Sequence, residues 1–153
     1  MDALYVMVPE AVAILPAEDK PAILSALADV FGRAYDLQAD DVLDYVEERE
    51  KLGSTGFGRG VAIPHARFPG LQRPVAALLK LEQPADFAAA DGLPVDLVFG
   101  LLSPADSGAT HLHALAAISR MVRDEAMHDA LATAPDAEAL YALITNALDQ
   151  DAA

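Results

Sequence analysis

The chain of 153 residues contains no cysteine and no tryptophan, and aromatic residues make up only 6% of it. Without cysteine there is no disulfide, no iron–sulfur cluster, no thiolate zinc site and no thiol nucleophile. Basic residues are also scarce, since 10 Lys and Arg stand against 24 Asp and Glu and give a formal net charge of −14. Nucleic acids and anionic membranes are bound through basic clusters, so this charge balance argues against both as partners.

The sequence also lacks a long hydrophobic run and a basic N-terminal segment. No apolar run approaches the roughly 20 residues of a membrane span. The start, Met1-Asp2-Ala3, does not resemble a secretory signal. A length of 153 residues with 54% hydrophobic residues suits one domain over residues 1–153. We therefore expect a single-domain cytoplasmic protein without membrane insertion.

Hydrophobic periodicity predicts an α/β fold. Apolar residues recur with helical spacing in five segments, at residues 18–33, 40–52, 110–123, 125–133 and 136–148. Short apolar runs predict strands at residues 61–63, 75–81 and 95–102, with a further edge strand at 4–8. The connections between strands are not regular βαβ units. We therefore expect a central mixed β-sheet flanked by helices on both faces.

Glycine is concentrated in one segment of the chain. Four of the nine glycines fall within residues 53–60, GSTGFGRG, between a predicted helix and a predicted strand. Such a loop can bring backbone N–H groups close to an anion, and Ser54 and Thr55 add hydroxyl donors. The order helix, loop, strand and the lack of a following Gly-Lys-Ser or Gly-Lys-Thr exclude a dinucleotide fingerprint and a P-loop. A plain connecting loop is the alternative.

His65 follows Pro64 directly at the end of a predicted strand. Proline fixes its own φ and favours an extended residue before it, so the backbone next to His65 is restricted. A neutral imidazole is a competent nucleophile near pH 7 and can accept and release a phosphoryl group. A structural histidine that is hydrogen-bonded at the strand end is the alternative.

Two more polar residues fall on apolar faces of predicted helices. Arg49 continues the face of Val42 and Val46, so it points inward and requires an anionic partner, either a carboxylate or a phosphoryl group. His111 faces inward at a helix N-terminus, where anions are favoured, or is a core histidine. His113 lies about 200° around the helix from His111, so the pair cannot easily chelate a metal.

The motifs around these residues resemble the IIA proteins of the bacterial phosphoenolpyruvate-dependent phosphotransferase system, of the fructose/mannitol type and nearest its nitrogen-regulatory branch. The resemblance is carried by REKLGSTGFGRGVAIPH at 49–65, PVDLVF at 94–99, PAD at 104–106 and THLH at 110–113. It covers nearly the whole chain and is weakest over the first fifteen or so residues. Ala66-Arg67 stands where the regulatory branch has Gly-Lys.

The resemblance implies an active site and a partner. His65 matches the histidine that is phosphorylated in this family, and its donor is expected to be a small HPr-like phosphocarrier protein. Arg49 matches the active-site arginine and His111 the second active-site histidine. Ser54 and Thr55 fall in the phosphate-side loop. Transfer between histidines depends on alignment and charge stabilisation, so we expect neither a metal nor a cofactor.

Three functions remain open at the level of sequence. The first is a regulatory phosphocarrier whose two forms bind different target proteins. The second is a sugar-transport component that passes phosphate to a fructose- or mannitol-type IIB domain. The third is a small-molecule binding module that uses the same glycine loop. The first is favoured because the chain carries no fused IIB or membrane domain.

Overall fold

The computed structural model describes residues 4–152, with side chains for residues 4–147. Along this part of the chain the helices are α1 (Lys20–Tyr35), α2 (Ala39–Lys51), α3 (Ala109–Arg123), α4 (Glu125–Thr133) and α5 (Ala137–Ala152). The strands are β1 (Val12–Leu15), β2 (Gly56–Gly58), β3 (Val61–Ala62), β4 (His65–Phe68), β5 (Val75–Ala85) and β6 (Val95–Pro104). None of these helices combines the length and apolar character that a membrane span needs.

The two longest apolar runs, β5 and β6, form the antiparallel centre of a mixed sheet. The strand order is β1-β5-β6-β3-β2, and β4 also pairs with β6. β1 runs parallel to β5, whereas β3 and β4 both run parallel to β6. Parallel and antiparallel pairs therefore coexist, and the predicted mixed sheet is confirmed.

Helices cover both faces of this sheet, as predicted. α1 and α2 pack against β5 and β4, whereas α3 and α5 pack against β6 and β1. Gly100 in β6 allows α1 to approach closely, because a Cβ atom there would lie 2.8 Å from the ring of Phe31 and 2.9 Å from Leu27. Both of these side chains are fully buried. Substitution of Gly100 would thus separate the helix from the strand.

The predicted helices are all present, and capping explains where α1 begins and ends. Asp19 is the N-cap, and its carboxylate accepts a hydrogen bond of 2.9 Å from the Ala22 N–H. The helix continues to Tyr35 because the left-handed residue that stops it is Asp36, with φ of 55°, rather than Gly32. Periodicity locates the helical face well, whereas the cap decides the final turn.

The predicted edge strand at residues 4–8 is wrong. The edge strand is β1, after the short 3-10 helix Pro9–Ala11, and Val6 forms only an isolated bridge to Val75. Residues 4–8 are apolar because Tyr5 and Met7 are buried in the core, not because they form a strand. The segment is held at Val6, whose N–H donates to the Pro74 carbonyl at 2.8 Å and whose carbonyl accepts from the Ala76 N–H at 2.9 Å.

The predicted strand at residues 61–63 is one residue longer than the strand in the structure. β3 ends at Ala62, and pairing with β6 resumes in β4, which starts at His65. The interruption lies at Ile63-Pro64, where proline has no N–H to donate to a ladder. Both pieces lie along the same edge of β6, so His65 is the first residue after a break in an edge strand.

Lys80 in β5 caps the C-terminus of α4. Its Nζ donates to the carbonyls of Ala132 at 2.7 Å and Ala134 at 3.0 Å. A cation at a helix C-terminus is stabilising, and because Lys80 is half-buried, water can replace part of these charged hydrogen bonds when the ammonium is removed. We expect Lys80→Met to lower the free energy of unfolding by about 1–3 kcal/mol in urea denaturation.

Lys51→Met is the matched control for this prediction. Lys51 is exposed and pairs with Glu48 on its own helix, at 2.7 Å. Exposed pairs of this kind contribute little to stability because water and salt screen them, so this variant should be close to the parent protein. Equal losses in the two variants would contradict a capping role for Lys80.

Candidate functional site

His65 is fixed by a hydrogen bond to the break that precedes it. Its Nδ1 lies 2.7 Å from the carbonyl oxygen of Ile63. A carbonyl can only accept, so Nδ1 carries the proton, and in the neutral ring Nε2 carries the lone pair. The half-buried ring therefore has a defined tautomer, with its basic nitrogen on the side of the ring away from the Ile63 carbonyl.

His111 lies beside His65, at the N-terminal end of α3. The two ring centroids are 5.7 Å apart, with an angle of 43° between the planes. The Nδ1 of His111 lies 2.7 Å from the hydroxyl oxygen of Ser103, a fully buried residue near the end of β6. Because β4 pairs with this end of β6, the sheet register brings both histidines to one edge of the sheet.

Arg49 is on the last turn of α2 and is half-buried, as the apolar face of that helix predicts. Its Nη1 donates to the carbonyl of Gly53 at 3.0 Å, which ties the guanidinium to the start of the glycine loop. No carboxylate forms an ion pair with it among the described side chains. The remaining guanidinium hydrogens are thus available to an anion beside His65.

Two surface hollows meet at these residues. The outer hollow, about 560 Å³, is lined by Arg49, His65 and His111 together with Tyr45, Glu48, Leu52, Ala66, Arg67, Leu112 and Leu115. The loop hollow, about 240 Å³, is lined by Arg49, Ser54, Thr55, Gly56, Phe57, Ile63, His65, Leu115 and Ser119. Arg49 and His65 line both, so a group bound to His65 is reachable from either side.

The hydroxyl groups of the glycine loop already have protein partners. Ser54 donates to the carbonyl of Phe87 at 3.1 Å and accepts from the Gly56 N–H at 3.0 Å. Thr55 is buried, and its hydroxyl donates to the carboxylate of Glu50. Both residues line the loop hollow beside His65, but neither hydroxyl proton points freely into it.

Close approach and positive φ require glycine at two positions of this loop. A Cβ atom on Gly56 would lie 2.6 Å from the Cα of Ala89, so the loop packs directly on the backbone before β6. Gly60 has φ of 85°, in the region that favours glycine. The loop is therefore a packed structure whose shape is set by its neighbours.

Burial keeps both histidines neutral. Burial, aided by the positive charge of Arg49 and opposed by the hydrogen bond to Ile63, lowers the pKa of His65 below its ordinary value of 6.5. Burial, with smaller effects of His65 and Arg67, lowers the pKa of His111 to about 4. At neutral pH the site thus holds two uncharged imidazoles beside one guanidinium, and His65 Nε2 is free of a proton.

The depressed pKa of His111 makes folding stability depend on pH. Its folded pKa of about 4 lies below the ordinary 6.5, so protons bind the unfolded chain more readily. The free energy of unfolding is therefore highest above the unfolded pKa of about 6.5, and it falls as the pH decreases from about 6.5 to about 4.

We expect the free energy of unfolding to fall across this range more steeply for the parent protein than for His111→Gln. The glutamine keeps a polar partner for Ser103 and cannot titrate. Chemical denaturation at a series of pH values measures both slopes. Parallel slopes would contradict a buried neutral His111.

The other two histidines do not join the site. His113 is exposed on α3. The Nε2 of His128 lies 2.9 Å from the carbonyl oxygen of Arg59, at the far end of the glycine loop. Across the described residues, no group of three or more His, Asp or Glu side chains is arranged to hold a metal ion. His128 is half-buried against this loop.

Three residues of the site were missed by sequence reasoning. Ser103 partners His111, Arg67 acts electrostatically on His111, and Glu50 holds Thr55. For Glu50 a signal existed, because it follows Arg49 on the helix and lies one turn after the buried Val46. Ser103 and Arg67 reach His111 only through strand pairing, which no local pattern reveals.

Comparison with known proteins defines the class to which this site belongs. Residues 7–147 match the family described as "Phosphoenolpyruvate-dependent sugar phosphotransferase system, EIIA 2". The matched segment includes the whole of both hollows. The chain belongs to this family of phosphotransferase-system IIA proteins, as the sequence motifs indicate.

Three relatives are similar to this chain over most of its length. A nitrogen regulatory protein of Pseudomonas aeruginosa is 42% identical over 133 residues, which cover 86% of each chain. A PTS system fructose-specific EIIA component of Haloferax volcanii is 34% identical over 136 residues, covering 88% of this chain and 87% of that one. The crystal structure of nitrogen regulatory protein IIA-Ntr from Neisseria meningitidis has a TM-score of 0.84 and 31% identity, covering 91% of this chain and 96% of that one.

Proposed function

We propose that this protein is a phosphocarrier of the phosphoenolpyruvate-dependent phosphotransferase system that accepts a phosphoryl group on His65 from an HPr-like protein and acts as a nitrogen-regulatory signalling protein. The observation that carries the proposal is the fixed tautomer of His65. Its Nδ1–H donates to the Ile63 carbonyl, while Arg49 and His111 flank the ring. Phosphoenolpyruvate is a cytoplasmic metabolite, so this role belongs in the cytoplasm.

The transfer step needs little covalent chemistry from the protein. The lone pair on Nε2 of His65 attacks the phosphorus of a phosphohistidine on the donor, in line with the bond that breaks. A P–N bond forms on His65, and the donor imidazole leaves with the electron pair of its own P–N bond. The ring of His65 becomes more acidic at Nδ1, where the Ile63 carbonyl stabilises the proton.

Arg49 and His111 stabilise the charge of the transferred group. The guanidinium binds phosphoryl oxygens through paired N–H groups. If the Ser103 hydroxyl donates to Nδ1 of His111, the neutral ring carries its proton on Nε2 and can donate to a phosphoryl oxygen. Ser54 and Thr55 fix the shape of the loop hollow beside His65 and do not donate to phosphate, since their own hydroxyl protons are already donated to Phe87 and Glu50.

The rim of the outer hollow suits a protein partner. Tyr45, Leu52 and Leu112 are large apolar side chains with 43%, 84% and 61% of their surface exposed. The adjacent outer face of α2 carries five exposed carboxylates, on Asp40, Asp41, Asp44, Glu47 and Glu48. An apolar patch beside acidic groups complements a donor that presents its phosphohistidine among apolar and basic residues. The surface thus suits a protein donor, and the family resemblance makes an HPr-like protein the proposed one.

The regulatory role is supported by the 42% identical relative, which is named a nitrogen regulatory protein. The second candidate function is that of a sugar-transport IIA component, and the relative named as fructose-specific supports it. The two candidate functions differ in the protein on which the phosphorylated form acts. A transport component passes phosphate to a fructose- or mannitol-type IIB domain, whereas a regulator changes its target proteins with its phosphorylation state.

The proposal is tested by intact-mass measurement after incubation with phosphoenolpyruvate, the energy-coupling enzyme and the HPr-like donor. The expected result is an acid-labile gain of one phosphoryl group. No gain in mass, with saturable binding of a small molecule in calorimetry, would favour the binding-module alternative instead.

Pull-downs with both forms then separate regulation from transport. Phosphorylation adds negative charge to an acidic rim, which weakens complexes formed there by repulsion. Different partners for the two forms support regulation. Identical partners together with rapid transfer to a IIB domain support transport.

A further inference from the structure

Glu50 is a buried carboxylate between the first two helices and the glycine loop. Only 5% of its side chain is exposed. Its Oε1 accepts from Lys20 Nζ at 2.7 Å and from the Thr55 N–H at 3.1 Å, and its Oε2 accepts from the Thr55 hydroxyl. Glu50 thus fixes one residue of the loop through both its backbone and its side chain.

A chain of hydrogen bonds leads from Glu50 to the imidazole of His65. The carbonyl of Thr55, the residue that Glu50 holds, accepts from the Ile63 N–H at 2.9 Å. The carbonyl of the same Ile63 accepts from Nδ1 of His65 at 2.7 Å. Ile63 lies between β3 and β4, outside either strand, so Thr55 is what holds its N–H. The carbonyl that sets the tautomer of His65 is therefore positioned by Thr55.

Lys20 ties this chain to the rest of the fold. Its ammonium pairs with Glu50 and lies 4.7 Å from the centroid of the Phe87 ring. The carbonyl of Phe87 accepts from Ser54, the other residue at this end of the loop. One ion pair from α1 and α2 thereby anchors two successive loop residues next to His65.

We infer that Glu50, with Lys20 as its counter-ion, is a positioning residue for phosphoryl acceptance: it holds Thr55, and through Ile63 it fixes the orientation and tautomer of His65. This inference rests on the proposed function. Glu50 touches neither the phosphoryl group nor the ring, and it acts through the loop. The charge of Glu50 also raises the pKa of His65 and so opposes Arg49.

The alternative is that this ion pair only stabilises the fold, and the two roles predict different results for a double substitution. Well-packed apolar residues of similar volume often replace a buried ion pair without loss of stability, whereas removal of one partner leaves a costly unpaired charge. The double substitution Lys20→Met with Glu50→Met therefore removes the hold on Thr55 without leaving a buried charge. Stability and positioning can be measured separately in this variant.

The first arm measures the ring itself in the unphosphorylated protein. Imidazole nitrogen NMR of labelled parent protein should show His65 as one neutral tautomer with the proton on Nδ1. The double variant should show a mixture of both tautomers. Retention of the parent tautomer in the folded double variant would overturn the inference. This arm needs no phosphate, so it decides even if His65 proves not to be phosphorylated.

The second arm measures transfer from the phosphorylated HPr-like donor. Loss of alignment should lower the maximal transfer rate constant by about 10- to 100-fold. The half-saturating donor concentration should stay near its parent value, because the rim of the outer hollow is unchanged. A folded double variant with the parent rate would also overturn the inference.

Two further variants guard against misfolding and against loss of stability. Thr55→Val removes the hydroxyl that Glu50 accepts from, and Thr55→Ser restores it, so transfer should fall in the first and recover in the second. Lys80→Met, remote from the loop, weakens the fold but should keep the parent tautomer and transfer rate. Equal transfer in Thr55→Val and Thr55→Ser, or a tautomer mixture in Lys80→Met, would count against positioning by Glu50.

Discussion

Replacement of His65 by alanine is expected to abolish phosphoryl acceptance from the HPr-like donor, with a loss of at least about 10⁴-fold in the transfer rate. The reason is that Nε2 of this ring forms the P–N bond in the proposed mechanism, and no other nucleophile among the described side chains lies in the same position. His111 is the nearest imidazole, but its Nδ1 is occupied by Ser103 and its ring centroid is 5.7 Å away. Intact-mass measurement over time gives the rate.

His113→Ala is the matched control for this experiment. His113 is on the same helix as His111, two residues further on, but it is exposed. Its removal should leave the transfer rate close to that of the parent protein. Full phosphorylation of folded His65→Ala would refute the role given to this ring.

Replacement of Arg49 by alanine is expected to lower the transfer rate by about 10²–10³-fold. The guanidinium lines both hollows next to His65. In the proposed mechanism it stabilises charge on the phosphoryl oxygens as the group is transferred. Its loss also removes a positive charge that lowers the pKa of His65, so the pKa of the ring should rise. Rapid mixing with phosphorylated donor measures the rate, and NMR titration measures the pKa.

Two variants separate charge from geometry in this prediction. Arg49→Lys keeps the charge but loses the paired N–H donors, so it should recover only part of the rate. Lys51→Ala removes an exposed cation from the same helix turn and should have little effect. A folded Arg49→Ala protein with the parent rate would contradict the assignment.

Periodicity located the helices and the inward-facing polar residues of this site. Arg49 and His111 each interrupt an apolar stripe, and the structure places both in the outer hollow with His65. This succeeds because a helical face follows from local spacing alone. The mixed sheet was also predictable, since the connections between the predicted strands are not the regular βαβ units that a purely parallel sheet requires.

The contacts that complete the site were not predictable from local pattern. β2 and β4 are short, and their pairing depends on β3 and β6 rather than on their own composition. The hydroxyl of Thr55 looked available for phosphate, yet it is committed to Glu50, a partner that the turn of the loop brings back onto the helix. Loop hydrogen bonds of this kind depend on tertiary structure that the sequence does not display.

The position of the phosphorus–nitrogen bond tests the central claim most directly. Phosphorus and nitrogen NMR of the labelled, phosphorylated protein identifies both the residue and the ring nitrogen that carry the phosphoryl group. Because Nδ1 donates to the Ile63 carbonyl, the account predicts a single phosphohistidine, at Nε2 of His65. Phosphate on Nδ1 of His65, or on any other residue, would contradict it.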